Sequence, residues 1–310
     1  MYWLGRYIER AENTARLINV NSNLMLDLPG VKHVWDSIVE ISGAEKEFHN
    51  TYARADERNV VRFMLTREFG SLAYNIRMAR ENARTTREIL PIESWRQINE
   101  LHLFVQKHLP TSLARENRAR FLDEFVGKCF QITGTMAGIM SNDTAYQFIR
   151  IGRNLERADM TSRIVDVGFL NLHNAEDKRI LANTNILWMN VLKSLSAYQM
   201  YRQHVQDRVN DEDVVDFLLK NNAFPRAVTH CIGAVSSCLQ SLPNNDGPLR
   251  AIAHAQRNLS AVDVIETLNT GGLHDYIDEI QLEIQNIHSQ VYSTWFKFDR
   301  AVPGALESAS

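Results

Sequence analysis

A stretch of 17 residues occurs twice in this chain, and no other feature limits its fold as much. Residues 4–20 read Leu4-Gly5-Arg6-Tyr7-Ile8-Glu9-Arg10-Ala11-Glu12-Asn13-Thr14-Ala15-Arg16-Leu17-Ile18-Asn19-Val20. Residues 151–167 read Ile151-Gly152-Arg153-Asn154-Leu155-Glu156-Arg157-Ala158-Asp159-Met160-Thr161-Ser162-Arg163-Ile164-Val165-Asp166-Val167. At a constant offset of 147, 8 positions are identical: Gly5, Arg6, Glu9, Arg10, Ala11, Thr14, Arg16 and Val20 with their counterparts. Internal repetition of this kind has to be settled before any other pattern, because it governs the whole architecture.

Both copies read as helix. At about 100° per residue, Tyr7, Ile8, Ala11, Thr14, Ala15 and Ile18 share one face, a narrow one of small residues that admits another helix closely. Arg6, Glu9, Arg10, Glu12, Asn13 and Arg16 take the opposite face, with Glu12 and Arg16 in the favourable i,i+4 order. The second copy sets Leu155, Ala158, Ser162 and Val165 against Arg153, Glu156, Arg157, Asp159 and Arg163. The repeat extends further: Val34-Trp35 parallels Leu187-Trp188, and Asn59–Leu65 parallels Asp213–Leu219 at an offset grown to 154. The expected fold is therefore all-α, a tandem internal duplication of a roughly six-helix unit. Units at 1–140 and 141–300 and a flexible tail at 301–310 follow, from a chain of 310 residues.

Helices are expected over about 1–27, 32–49, 59–65, 71–90, 93–108, 115–140, 225–242, 248–268 and 273–298, with others opening at about 141–144 and from about Leu187. No capping residue precedes Trp3, so the first turn is expected upstream of Met1, whereas Ser141-Asn142-Asp143-Thr144 caps the second copy. A net charge of −3 and a pI near 6.4 argue against bulk binding of nucleic acid. Three cysteines, Cys129, Cys231 and Cys238, are too few for a disulfide framework and read as buried thiols. No signal peptide and no apolar run of about 18 residues is present, so no membrane role and a cytoplasmic location are expected.

None of the 10 histidines follows an acidic residue by three, the spacing of a ferritin-like metal site. Cys-x-x-Cys, His-Glu-x-x-His, phosphate-loop and nucleophile-elbow motifs are absent too, so no metal and no cofactor are expected. What carries chemistry is the paired Gly-Arg-x-x-Glu-Arg element. One reading is a structural lattice in which two related helices pair Arg with Glu about a pseudo-twofold axis. The other is a polar cleft where Arg6, Arg10, Arg16, Arg153, Arg157 and Arg163, with Glu12 and Asp159, grip a carboxylate, phosphate or peptide. In that reading Glu9 or Glu156 could serve as an acid–base group. Identity between the copies falls on the charged positions, which pulls toward a site. A stripe of Arg77, Arg80, Arg84 and Arg87, laced with Glu81 and Glu88, is either a solvated face or a secondary anion or partner surface. Trp35 and Trp188 read as core anchors.

The residues Tyr2-Trp3-Leu4-Gly5-Arg6-Tyr7-Ile8-Glu9-Arg10-Ala11-Glu12-Asn13-Thr14-Ala15-Arg16, Ala79-Arg80-Glu81-Asn82-Ala83-Arg84, Phe224-Pro225-Arg226 and Gly152-Arg153-x-x-Glu156-Arg157-Ala158 resemble the bacterial alpha-E family over nearly the whole chain. Phe69-Gly70 departs from the Asn-Pro turn of that pattern. The resemblance implies an all-helical protein found beside a circularly permuted ATP-grasp ligase and a transglutaminase-like cysteine peptidase. The leading expectation is an accessory partner of an ATP-grasp amidoligase, binding the ligase or an anionic peptide-like substrate. An enzyme using Glu9 or Glu156 in an interhelical cleft, and a purely structural scaffold, remain open beside it.

Overall fold

The structure is a computed structural model that describes residues 1–27, 34–173 and 183–297. The helix stop expected at Leu28-Pro29-Gly30 and the tail at 301–310 lie outside these residues. Within them every regular element is a helix: α1 (Tyr2–Asp27), α2 (Val34–Ser42), α3 (Glu45–Thr51), α4 (Glu57–Thr66), α5 (Leu72–Thr85), α6 (Ile92–Ser112) and α7 (Arg115–Ile139). There follow α8 (Thr144–His173), α9 (Thr184–Ser194), α10 (Tyr198–His204), α11 (Asp211–Lys220), α12 (Val228–Gln240), α13 (Asp246–Ala261), α14 (Val264–Asn269) and α15 (Leu273–Trp295). The fold is all-α, and no described helix is long and apolar enough to cross a membrane.

Among the described residues seven helices fall within 1–140 and eight within 141–300, more than the six per unit expected, because three helices predicted from periodicity are broken. The expected helix at 32–49 divides at Gly43, whose φ of +63° belongs to the left-handed region that glycine enters without penalty. Ser196 ends α9 with a φ of +51° at the matching turn. The expected helix at 248–268 breaks after Val262, where the Asp263 carboxylate accepts from the Ile265 and Glu266 amides and caps a new helix. The expected helix at 71–90 stops at Thr85. Pro225 lies before α12, not in its first turn.

Corresponding helices pack in corresponding ways. α1 lies on α5 and α7, as α8 lies on α12 and α15, and α6 and α13 close each layer. Asp56 caps α4 and Asn210 caps α11, each accepting from the amide three residues on. Two apolar cores result, one holding Trp35 and the other Trp188. The cores exchange anchors: Tyr2 and Leu17 of α1 bury in the core built mainly from α8 to α15, while Tyr146 and Ile149 of α8 bury in the other. α1 and α8 cross at the centre with both flanks covered, which removes their charged faces from water.

Candidate functional site

The crossing depends on two glycines. A Cβ on Gly5 would press into the carbonyl oxygen of Ile149, and one on Gly152 into that of Tyr2. These are the same contact viewed from each helix, since 149 and 152 are 2 and 5 advanced by the repeat offset. Backbone meets backbone there, so any side chain at either position would push the helices apart.

That close approach brings the charged faces together. Glu156 accepts from Arg6 Nε at 2.7 Å, Arg10 Nε at 2.5 Å and Arg10 Nη2 at 2.9 Å. The reciprocal pair joins Arg157 Nε to Glu9 at 2.9 Å. Arg16 binds Glu12 within α1, and Arg163 binds Asp159 within α8 at 3.1 Å. Burial pushes the Glu9 carboxyl up, but Arg157, Arg226 and Arg16 outweigh it and bring it down to about 2. Glu156 is likewise raised by burial and lowered further than that by Arg6 and Arg10. Both stay ionised.

A residue from outside the two helices breaks the symmetry. Arg226, in the turn before α12, donates to Glu9 at 2.6 Å, Glu12 at 2.6 Å and the Asn13 side-chain carbonyl at 3.1 Å. Its backbone carbonyl accepts from the Thr161 hydroxyl at 2.8 Å, fixing the turn to α8. On the other side Arg6, not a loop arginine, supplies the second partner of Glu156. Arg6 also donates to the Tyr2 hydroxyl at 3.1 Å, which meets His288 Nδ1 at 2.6 Å. Burial and Arg6 lower the His288 pKa. On that side α15 stands off, and a cavity of about 510 Å³ opens between Arg6, Arg10, Asp159, Arg163, Gln285 and His288. Glu12 has two guanidinium partners and is closed in; its counterpart Asp159 pairs with Arg163 and faces the cavity.

Residues 1–296 match the Alpha-E family, described as a predicted alpha-helical domain with a conserved ER motif. The chain belongs to that family. Glu9-Arg10 and Glu156-Arg157 are Glu-Arg pairs of this kind, and they are the residues that meet across the crossing. An uncharacterised protein of Mycobacterium bovis is 22% identical over 334 aligned residues, covering 99% of this chain and 37% of that protein. An uncharacterised protein of Mycobacterium tuberculosis is 21% identical over the same lengths. The chain thus spans little more than a third of these relatives. No solved structure matches it.

The structure gathers Arg6, Glu9, Arg10, Glu12, Arg16, Arg157 and Glu156 into one network, with Arg163 and Asp159 at its edge. Arg153 sits among them without reaching Glu9, because Arg226 occupies that carboxylate. The Arg77/Arg80/Arg84/Arg87 stripe does not join this network. Arg77 lies over Tyr74, Arg80 and Arg87 over Trp95, and Arg84 on Glu81; Arg87 falls beyond the end of α5. Three residues of the site carry no periodic signal: Arg226, Tyr2 and His288. Arg226 lies 217 positions from Glu9, and only the Phe224-Pro225-Arg226 motif marked it. A separate trio, Asp166, His274 and Asp278, of which Asp278 also lines the cavity, has ligand atoms within 4.8 Å of one another, a spacing that could hold a metal. Donation from His274 Nδ1 to the Asp166 carboxylate, at 2.8 Å, raises the His274 pKa.

Proposed function

We propose that this chain is a non-catalytic helical binding module that seats an anionic, peptide-like ligand in the cavity between α1, α8 and α15. Its setting is that of an accessory to an ATP-grasp amidoligase, acting in the cytoplasm. The observation that carries the reading is Arg10. Its guanidinium is locked by two hydrogen bonds to Glu156, yet 37% of the side chain stays exposed, at the mouth of the cavity. An arginine held in one orientation loses little entropy on meeting a carboxylate, which favours recognition. Arg163, a third exposed and paired with Asp159, supplies a second donor at the opposite wall.

The acid–base alternative is weaker on the same geometry. A carboxylate titrating near 2 and already accepting from two arginines is a poor base at neutral pH. The glutamates serve instead as anchors for the arginines. The reciprocal contacts of the two helices also support descent of both halves from one duplicated unit.

Calorimetric titration with triglutamate tests the binding. We expect saturable binding that weakens roughly tenfold or more in Arg10→Gln and in Arg163→Gln, as loss of a charge-assisted hydrogen bond of about 1.5–3 kcal/mol requires. Arg163→Gln should melt close to the parent, while Arg10→Gln, which leaves the buried Glu156 to Arg6 alone, should stay folded but melt lower. Absence of binding by the folded parent would leave the crossing a structural lattice. Stoichiometric recovery of an ATP-grasp ligase with tagged chain would support the partner role; turnover of an amide by the isolated chain would refute the non-catalytic assignment.

A further inference from the structure

The cavity is lined from α1 and α8 by Arg6, Arg10, Asp159 and Arg163. Moved by the repeat offset, these four become Arg153, Arg157, Glu12 and Arg16. The second set lies on the opposite side of the crossing, where Arg16 packs over the Phe130 ring of α7 at 5.7 Å. The charges there do not balance. Arg16, Arg153, Arg157 and Arg226 face Glu9 and Glu12, four guanidinium groups to two carboxylates.

Hydrogen bonding shows the same deficit. On α1 and α8, every buried side-chain atom left without a hydrogen-bond partner is an N–H donor, among them Asn13 Nδ2, Arg16 Nη1 and Arg153 Nε. Arg16 is 5% exposed, so bulk water does not reach it. A water molecule would accept from these groups but bring two donors of its own into a region already short of acceptors. An oxyanion only accepts. Burial and the neighbouring Arg226 depress the Arg16 pKa to about 10, and burial with Arg157 depresses that of Arg153, as expected of positive charge lacking a counter-ion.

We infer that the Arg16–Arg153 face of the crossing is a second, buried site for a phosphate-type dianion, bound by Arg16, Arg153 and the Asn13 amide. Two negative charges bring four arginines and two glutamates to neutrality, which favours a dianion over a single carboxylate. The arginine fork and the tetrahedral oxygens match in geometry. Arg226 closes the site and orders it by clamping Glu9, Glu12 and Asn13. The site differs from the cavity in place and in ligand charge, and it stands whether or not the cavity binds peptide.

Two measurements on the full chain test it. The first is thermal melting against inorganic phosphate at constant ionic strength, set by chloride. The second is ion chromatography of what purified protein releases on heat denaturation. We expect either a saturable rise in Tm with phosphate or near-stoichiometric phosphate in the released fraction. Phosphoserine tests the second source of the same chemistry; a larger shift than with phosphate would assign the site to a phosphoryl group carried on a ligand. Arg153→Gln should abolish the rise and the release. In phosphate-free buffer it should melt no lower than the parent, because among the described residues no carboxylate is hydrogen-bonded to Arg153 and the excess positive charge falls. Arg163→Gln, in the cavity, should leave the effect unchanged. The inference is overturned by absence of both shift and release, by a shift that survives in Arg153→Gln, or by one lost only in Arg163→Gln.

Discussion

Glu156 holds two arginines from another helix with a single carboxylate, 1% exposed. Substituting Gln keeps the shape and removes the charge, leaving Arg6 and Arg10 without it. Breaking a buried pair from one side costs about 3–5 kcal/mol, since the stranded ions have been desolvated and gain nothing back. Glu156→Gln should therefore lower the urea-unfolding free energy by about that amount; a loss under about 1 kcal/mol would mean the network is wet and weakly coupled. The same carboxylates set the acid limit of stability. Glu9 titrates near 2 when folded against an ordinary value of 4.5. A depressed folded pKa means the stabilisation is complete above the unfolded value and is lost as pH falls through the folded one. Tm should hold at neutral pH and decline between about 4.5 and 2, with a shallower decline in Glu9→Gln. A Tm flat down to the lower end of that window would show that these groups are not charged in the fold.

Whole helices meet at the glycines, and two substitutions of the same kind should have opposite signs. Gly152→Ala drives a methyl into the Tyr2 carbonyl, a backbone atom that cannot swing aside. Overpacking of this sort costs about 1–3 kcal/mol. Gly134→Ala, on the open face of α7, meets nothing within 4 Å and should stabilise by about 0.5–1 kcal/mol through helix propensity alone. Chemical denaturation of both reads the difference; equal effects would place the α1–α8 contact elsewhere. Repetition and 3.6-residue periodicity placed α1, α4, α7, α8 and α11 in the sequence, together with the Arg–Glu pairs across the crossing. What periodicity does not encode is where a chain turns inside an apolar pattern. Gly43 and Val262 interrupt α2 and α13 through a left-handed φ and a new cap, features of single residues. Periodicity passed over Arg226 for a related reason: a turn delivers it and a turn has no period, so only the Phe224-Pro225-Arg226 motif marked it. The far wall of the cavity, with His288 and Gln285, came from α15, whose sequence reads as an ordinary amphipathic helix.

The two halves of the molecule each own a core, yet neither owns its charges. Glu9 and Glu12 in α1 depend on Arg226, while Glu156 in α8 depends on Arg6 and Arg10. Tyr2 and Leu17 are buried in one core and Tyr146 and Ile149 in the other, each reaching across the crossing. Opening one half while the other stays folded would expose these anchors and strand several buried ions at once. Such an intermediate is too costly to be populated, so the chain should unfold in one transition despite its size. Hydrogen exchange in increasing urea tests this directly, because α4 and α11 are matching elements, one in each core. Val60–Leu65 and Val214–Leu219 are largely buried in those helices and should lose protection at the same urea concentration. Separate midpoints would mean that the boundary near residue 140 divides two independent folding units. In that case the ion network would act as a docking surface between them and no longer as the centre of one fold.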